Sequence, residues 1–442
     1  MIEMDPVIMT FLMFGGLIAG LLLGHPLAFV LGGLAVIFGI LAWGPASLPL
    51  FANRILGLTD NFILVAIPMF ILMANLLQQS GVADGLFESL RYLLGRVRGG
   101  VALAVVAVCT IFAACTGVIG ASVVTMGLLA LPMMLRYGYD KKLSAGSIMA
   151  GGTLGILIPP SIMLIVMADM SGLSVGKLFI GSVVPGLILA GLYMLYIIIL
   201  CARRPDLGPP LSPEERRLMP MKKRLTMALV SLVPPALLIM GVLGSIFTGL
   251  ATPTEASAVG ALLALLLTII YRRFSWRMIK GTTLATAKTV SMVMIILVGA
   301  TCFTGVFMGI GGGKALSSLI LGVGLGKWGT FAAMMLVVFV LGIFIDWIGI
   351  VYITFPVFLP ISVELGFDPL WFVVCIAVIL QTSFLTPPFG YALFYMKGIA
   401  GEELSTMQIY HSIVPFVFMV LIGLFICIQF PQLILGPAAL IK

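Results

Sequence analysis

The chain has 442 residues, of which 61% are hydrophobic and only 9% are charged. A soluble domain carries about 25% charged residues, so this composition indicates an integral membrane protein. Apolar runs of helical length fill the chain, which favours spanning helices over barrel strands. We attribute the formal net charge of +8 to loop lysines and arginines that set topology, and not to a nucleic-acid surface.

The cysteines and histidines show no pattern of a catalytic or metal centre. The six cysteines lie in or beside apolar segments and form no C-x-x-C pair, which argues against disulfides and a metal site. His25 and His411 lie near segment ends without a nucleophile or a ligand cluster beside them. No Walker A, Rossmann or H-E-x-x-H sequence is present. We therefore expect that the protein is not an enzyme.

Six apolar segments occupy the first half of the chain, and each has a counterpart 228 residues later. The residues that interrupt or precede these segments recur at the same offset, since Pro159-Pro160 matches Pro387-Pro388 and Asp140 matches Asp368. Matching proline-interrupted segments in two halves are typical of secondary transporters and indicate where these bind substrate. The segments are 7–23, 26–43, 61–79, 101–135, 143–170 and 178–200, with counterparts at 235–251, 254–271, 289–307, 329–363, 371–398 and 406–428.

The double prolines fall inside the apolar segments 143–170 and 371–398. Proline removes a backbone donor and clashes with the preceding turn, so each segment is predicted to be a broken helix. In lipid, a broken helix is tolerated only where it is buried in protein or lines a cavity. A proline kink that holds no ligand is the alternative interpretation.

Segments 101–135 and 329–363 are each long enough for two half-length helices around a small or polar middle. We predict a re-entrant hairpin in each. Two full crossings are the alternative, but about 16 residues per arm is short of the roughly 20 that a span needs. Each repeat then has five crossings and one hairpin. Because five is odd, the second repeat is predicted to be inverted relative to the first.

The basic residues support one orientation of this topology. With the N-terminus outside, 19 lysines and arginines fall on the cytoplasmic side and 5 fall on the outer side, as the positive-inside rule requires. The predicted organisation is a first repeat at 1–200, a solvated cytoplasmic linker at 201–226 and a second repeat at 227–442. The mixed, basic segments 80–100 and 272–285 are expected to be interfacial amphipathic arms.

The breaks and the hairpin middles offer ligands for a small cation and an anion. Unwound carbonyls and hydroxyls suit a hard cation, and half-helix N-termini suit an anionic substrate. An acid inside an apolar run, such as Asp346, is a functional candidate by default, with a helix cap as the alternative. Glu255 follows Thr252-Pro253 and is expected to cap a helix. The ligands offered are Gly155, Ile158 and Ser161, then Ser383 and Thr386, with Thr116, Gly342 and Asp346 at the hairpin tips.

Several stretches together resemble one family. Residues 153–161 read Thr-Leu-Gly-Ile-Leu-Ile-Pro-Pro-Ser, and residues 251–256 read Ala-Thr-Pro-Thr-Glu-Ala. Residues 341–346 read Leu-Gly-Ile-Phe-Ile-Asp, and residues 380–390 read Leu-Gln-Thr-Ser-Phe-Leu-Thr-Pro-Pro-Phe-Gly. These motifs resemble the large membrane subunit of tripartite ATP-independent periplasmic (TRAP) transporters, and the resemblance covers essentially the whole chain.

The resemblance implies a sodium-driven elevator transporter for organic acids in the bacterial inner membrane. It implies two partners, a small four-helix membrane subunit and a periplasmic substrate-binding protein. Ala113 could contribute only its backbone carbonyl. One sodium ion would lie near Ala113, Thr116, Gly155, Ile158 and Pro160, and a second near Gly342, Ser383, Thr386 and Phe389. The implied substrate ligands are Ser122, Thr125, Ser161 and Asp346.

The expected fold is all-α, an inverted-repeat elevator with about ten spanning helices, two re-entrant hairpins and two broken helices. A stand-alone sodium/dicarboxylate symporter of the same architecture is the alternative function, and co-purification with a small membrane subunit would separate the two. A channel is disfavoured, because duplicated hairpins and a long basic linker favour alternating access.

Overall fold

The structure is a computed structural model that describes residues 5–117, 119–388 and 390–441, without the side chains of 216–218. The described residues form helices and connecting turns, with no strand. The helices are α1 Pro6–Leu22, α2 Leu27–Trp43, α3 Leu48–Thr59, α4 Ala66–Ser80, α5 Val82–Leu94, α6 Gly100–Thr116, α7 Ile119–Arg136, α8 Lys141–Thr153, α9 Ile162–Ser171, α10 Val175–Arg203, α11 Pro213–Leu218, α12 Met221–Ile239, α13 Ser245–Phe247, α14 Pro253–Ile270, α15 Trp276–Gly309, α16 Gly312–Gly322, α17 Gly326–Phe344, α18 Trp347–Glu364, α19 Pro369–Ile379, α20 Gln381–Leu385, α21 Tyr391–Ala400, α22 Thr406–Gln429 and α23 Gln432–Ala438.

The prediction of about ten spanning helices is confirmed. Within the described ranges, nine helices are long and apolar enough to cross a membrane, or ten if α4 and α5, bent by 59°, count as one span. The set of helices differs from the prediction, because α7, α17 and α18, which were predicted to be hairpin arms, are also long and apolar enough to cross. The broken helices do not pass, because the proline breaks divide each into short halves.

The two broken helices are present where the double prolines predicted them. The first is interrupted between the end of α8 at Thr153 and the start of α9 at Ile162. The second is interrupted between the end of α20 at Leu385 and the start of α21 at Tyr391. Both interruptions leave backbone carbonyls without the helical donors that proline cannot supply.

Helix caps recur in the structure at the same 228-residue offset as the matched prolines and aspartates in the sequence. Asp140 caps α8 by accepting from the Leu143 backbone N–H at 2.9 Å. Asp368 caps α19 in the same way, accepting from the Trp371 N–H at 3.1 Å. Side-chain caps of this kind satisfy backbone donors that a helix start leaves free. Matched caps therefore begin the two broken helices at equivalent positions.

Three of the four half-helices that flank the breaks are largely buried inside the protein, while α21 is about half exposed. Every residue of α19 from Leu370 to Ile379 is buried. The perimeter helices instead carry large exposed apolar side chains, including Phe11 on α1, Phe29 on α2 and Phe418 on α22. Apolar side chains that face outward suit lipid, while the buried half-helices are shielded from it.

Most residues of the linker 201–226 are exposed, which agrees with a solvated segment, but the linker is also docked on the helices at a few points. The Gly99 N–H donates to the Gly208 carbonyl at 2.8 Å, and the Asp140 N–H donates to the Leu207 carbonyl at 2.9 Å. Leu211 is only 2% exposed. The apolar Leu211 side chain and the close approach of two glycine backbones hold the linker against the bases of α6 and α8.

The predicted arm at 272–285 is not a separate element. Helix α15 begins at Trp276, capped by Ser275, and continues for 34 residues, which is about 51 Å of helix. The basic arm and the apolar span that follows it are therefore one helix, because no proline separates them. The other predicted arm, within 80–100, contains the helix α5. Helix α3 was not predicted.

Candidate functional site

The tip of the first hairpin lies against the first broken helix. The hydroxyls of Thr116 and Ser122 are 3.3 Å apart and buried. A β-carbon built on Gly155 would lie 3.7 Å from the Ala113 α-carbon and 3.6 Å from the Ser122 hydroxyl. The fold thus brings together three of the predicted sodium ligands, Ala113, Thr116 and Gly155, with Ser122 beside them.

Gly117 and Pro160 complete this contact. Gly117 has a φ of 62°, and a β-carbon there would overlap the Pro160 carbonyl oxygen. Glycine is therefore required at this position for two reasons, the left-handed backbone and the close approach of the Pro160 carbonyl. Ile158 turns its side chain towards Gly186 on α10, so only its backbone carbonyl could face an ion.

The second hairpin repeats this arrangement with different residues. A β-carbon on Gly342 would coincide with the Ser383 hydroxyl, so the hairpin arm is seated directly on the second broken helix. The Ser383 hydroxyl is buried and makes no hydrogen bond among the described residues. The Thr386 hydroxyl donates to the Thr382 carbonyl at 2.6 Å, which leaves its lone pairs available. Phe389, the fourth predicted ligand, lies outside the described residues.

Both clusters suit sodium. A hard monovalent cation takes oxygen ligands, and in transporters it takes them from unwound carbonyls and half-helix ends. The first cluster offers the paired hydroxyls of Thr116 and Ser122 with the carbonyl of Pro160 nearby. The second offers the hydroxyl of Ser383, which has no hydrogen-bond partner in the part of the chain that the structure describes, beside Gly342. A buried hydroxyl without a partner is costly, so an oxygen-seeking cation would be stabilised there.

The predicted substrate ligands are not all in one place. A cavity of about 370 Å³ lies between the hairpin tips, and Asp346 is among its lining residues. Ser122, Thr125 and Ser161 are not. The Ser161 hydroxyl caps α9 and donates to the Ile156 carbonyl, so it is engaged locally. The Thr125 hydroxyl is buried without a hydrogen-bond partner in the described part of the chain.

Sequence reasoning missed most polar residues of this cavity. Asn75 and Gln78 interrupt an apolar segment at helical i, i+3 spacing, so they share one helix face and could have been flagged by that signal. The tyrosines that follow the second double proline had no such signal, because aromatic residues are ordinary in apolar helices. The polar lining side chains are Asn75, Gln78, Thr289, Asp346, Tyr391 and Tyr395.

Asp346 borders two cavities. It occupies the N-cap position of α18 but makes no side-chain capping hydrogen bond there with the described residues, so only its position agrees with the helix-cap interpretation. A smaller cavity of about 200 Å³ shares Asp346, Trp347 and Tyr391 with the larger one, and is also lined by His25. Asp346 therefore lies at the boundary between the two cavities.

Helix N-termini converge on the larger cavity. Ile119, Ile162, Trp347 and Tyr391 are the first residues of α7, α9, α18 and α21, and all four line it. A helix N-terminus carries roughly half a positive charge and presents free backbone N–H groups. The cavity therefore has a positive electrostatic contribution from the backbone, which suits an anion.

Glu255 has a structural role, as expected. Its carboxylate accepts from the Thr252 backbone N–H at 2.8 Å, and its own N–H donates to the Thr252 hydroxyl at 3.3 Å. This reciprocal pair is a capping box at the start of α14. Glu255 does not line the cavity described above.

Comparison with known proteins shows the family. The family model described as "Tripartite ATP-independent periplasmic transporter, DctM component" matches residues 14–433. The C4-dicarboxylate TRAP transporter large permease protein DctM of Pseudomonas aeruginosa is 33% identical over 91% of this chain and 92% of its own length. The isethionate TRAP transporter permease protein DctMQ of Oleidesulfovibrio alaskensis is 30% identical over 95% of this chain and 65% of its own length.

A solved structure agrees at the level of the fold. The YdaH transporter of Alcanivorax borkumensis superposes with a TM-score of 0.61, at 15% identity, over 96% of this chain and 99% of that one. At this identity, the likeness supports the all-helical architecture alone. The match of 420 residues to the family model and the 33% identity to a large permease protein lead to one conclusion: the chain belongs to the DctM-component family of tripartite ATP-independent periplasmic transporters.

Proposed function

We propose that this chain moves a small organic anion across the bacterial inner membrane together with sodium, as the large subunit of a TRAP transporter. The observation that carries this proposal is the close contact of each predicted hairpin with the broken helix of its own repeat. Gly117 meets Pro160 in one repeat, and Gly342 meets Ser383 in the other. The cavity of about 370 Å³ lies between the hairpin tips.

The anion part of the proposal is supported by charge and by the relatives. Four helix N-termini border the cavity and favour negative charge there. The two relatives compared are named for C4-dicarboxylate and for isethionate, which are both small organic anions. The sodium part is supported by the oxygen-rich clusters around Thr116 and Ser383.

The proposed mechanism is an elevator. The cavity is walled on one side by the hairpins and broken helices, and on the other by Asn75 and Gln78 of α4 and Thr289 of α15. We propose that the hairpins and broken helices move as one body against α4 and α15. The two repeats, 1–200 and 227–442, are proposed to be inverted, with the N-terminus periplasmic and the linker 201–226 cytoplasmic.

Two partners complete the proposed system, a small four-helix membrane subunit and a periplasmic substrate-binding protein. The family description is that of a tripartite system, which supports the need for both. The stand-alone sodium/dicarboxylate symporter is the remaining alternative. Co-purification of an affinity-tagged chain with a co-expressed small subunit supports the tripartite form, and full sodium-dependent transport by the isolated chain supports the alternative.

Reconstitution into proteoliposomes tests the function. The membrane complex is supplied with its binding protein and with a radiolabelled acid that stabilises that binding protein against thermal unfolding. We expect the labelled acid to accumulate under an inward sodium gradient. The same rate of accumulation with potassium in place of sodium would contradict the proposal.

A further inference from the structure

The residues that line the cavity between the hairpin tips indicate a narrower class of substrate than small organic anions in general. This inference rests on the proposed function. We propose that the cavity accepts a monocarboxylate with an apolar body about the size of a phenyl ring, and that it selects against C4-dicarboxylates. Two observations carry this: the aromatic side chains in the wall and the side-chain charges of the lining residues. The charge balance with the two proposed sodium ions agrees with them.

Four aromatic side chains form part of the cavity wall, together with aliphatic ones. They are Trp347 and Phe384, with Tyr391 and Tyr395 from the half-helix after the second break. Tyr391 is 42% exposed and Tyr395 is 39% exposed, so their rings contribute surface to the cavity. Apolar lining of this kind gains most when it covers an apolar part of the ligand.

Tyr395 is placed by the opposite repeat. A β-carbon on Gly120 would lie 3.1 Å from the Tyr395 hydroxyl and 3.2 Å from the ring carbon that bears it. The absence of a side chain at Gly120 therefore lets the ring lie on the tip of the first hairpin. An aromatic residue of one repeat and a glycine of the other together shape this wall.

The described lining residues include no lysine, arginine or histidine. Their one ionisable acid is Asp346, and their neutral polar side chains include Asn75, Gln78 and Thr289. His25 lines the adjoining smaller cavity. A charge held out of water without a partner is strongly disfavoured. A second substrate carboxylate would find no cationic side chain among the described residues of the larger cavity.

The charges balance for a monoanion. Two sodium ions would offset the carboxylate of Asp346 and one substrate carboxylate. A dianion would add a third negative charge at the same place, opposed only by the partial charges of helix N-termini. Like charges close together repel, and the repulsion grows as the effective dielectric constant falls. The chemistry therefore favours a single carboxylate, even though one relative is named for C4-dicarboxylate.

Thermal unfolding of the purified membrane complex tests this class without the binding protein, which would otherwise impose its own selection. Phenylacetate, 4-methylpentanoate and succinate are titrated separately in sodium chloride and in potassium chloride. We expect both monocarboxylates to raise the unfolding midpoint in sodium, at concentrations about tenfold or more below any effect of succinate.

Variants of the wall give the second readout. Tyr391→Ala and Tyr395→Ala are expected to raise the half-saturating phenylacetate concentration by about tenfold, since each removes an aromatic surface. Tyr395→Phe, which keeps the ring, is expected to bind nearly as the unmodified protein does, and it covers the case in which an alanine variant fails to fold. Phe418→Ala, at a side chain 59% exposed on α22, is the matched control.

The outcomes separate this inference from the proposed function. Stabilisation by succinate at concentrations equal to or below those of the monocarboxylates would overturn the substrate class, as would the absence of any sodium-dependent effect of the monocarboxylates. Unchanged phenylacetate binding in both tyrosine-to-alanine variants would overturn the role of the wall. None of these results bears on sodium-driven uptake in proteoliposomes, whose failure would contradict the function itself.

Discussion

The hydroxyl of Ser383 occupies the space that a β-carbon on Gly342 would fill. One residue lies on the arm of the second hairpin and the other lies just before the second double proline. Glycine at this position lets the hairpin approach the broken helix closely enough for their polar groups to share a ligand. A substitution that disrupts this contact therefore tests the proposed second sodium site.

Gly342→Ala is expected to separate the hairpin arm from the broken helix, because the new methyl group overlaps the Ser383 hydroxyl. Sodium-dependent uptake should fall to near background, and the unfolding midpoint should fall because overpacking a buried contact costs about 1–3 kcal/mol. Gly191→Ala, where nothing lies within 4 Å of the added carbon, is the control. Normal uptake by Gly342→Ala would show that the close approach is dispensable.

Linker docking predicts a stability effect at Leu211. This side chain is 2% exposed, so Leu211→Ala is expected to destabilise the protein by about 2–5 kcal/mol. The measurement is the thermal or denaturant unfolding midpoint of the purified chain. Pro210→Ala, at the exposed neighbouring position, should have a much smaller effect. Similarly small effects of both substitutions would contradict docking through Leu211.

The proposed orientation predicts which positions react from the periplasm. A cysteine at Lys142, beside the start of the first broken helix, should resist a membrane-impermeant maleimide added to intact cells. A cysteine at Lys177 should react. The six native cysteines are buried, but they are replaced to remove background. Labelling at Lys142 together with protection at Lys177 would invert the topology.

The elements around the site could be predicted because their signals are local. Proline at Pro159-Pro160 and Pro387-Pro388 breaks a helix wherever it occurs, and the caps at Asp140 and Asp368 need only neighbouring residues. The hairpins followed from segment length and from their repetition. These features depend on residues that are close in the sequence, so they can be read from the sequence without knowing how the helices pack.

The cavity wall could not be predicted in the same way. Asn75 and Gln78 reach it from α4, and Tyr395 reaches it by packing on Gly120 of the other repeat. Such contacts depend on how distant helices pack. Ser161 shows the opposite case, since its motif suggested a substrate ligand but its hydroxyl caps a helix. Leu211 was missed because a polar, basic linker gives little sign that one apolar side chain is buried.

The sodium dependence of anion uptake by two threonine variants tests the central claim most directly. Thr386→Ala and Thr116→Val each remove a hydroxyl from one cluster, so the sodium concentration for half-maximal uptake should rise by about tenfold or more. Thr110→Ala is the matched control, because the Thr110 hydroxyl donates to the Val106 carbonyl as that of Thr386 does to Thr382. An unchanged sodium dependence in both cluster variants would contradict the assignment of the ion sites to the hairpin tips and broken helices.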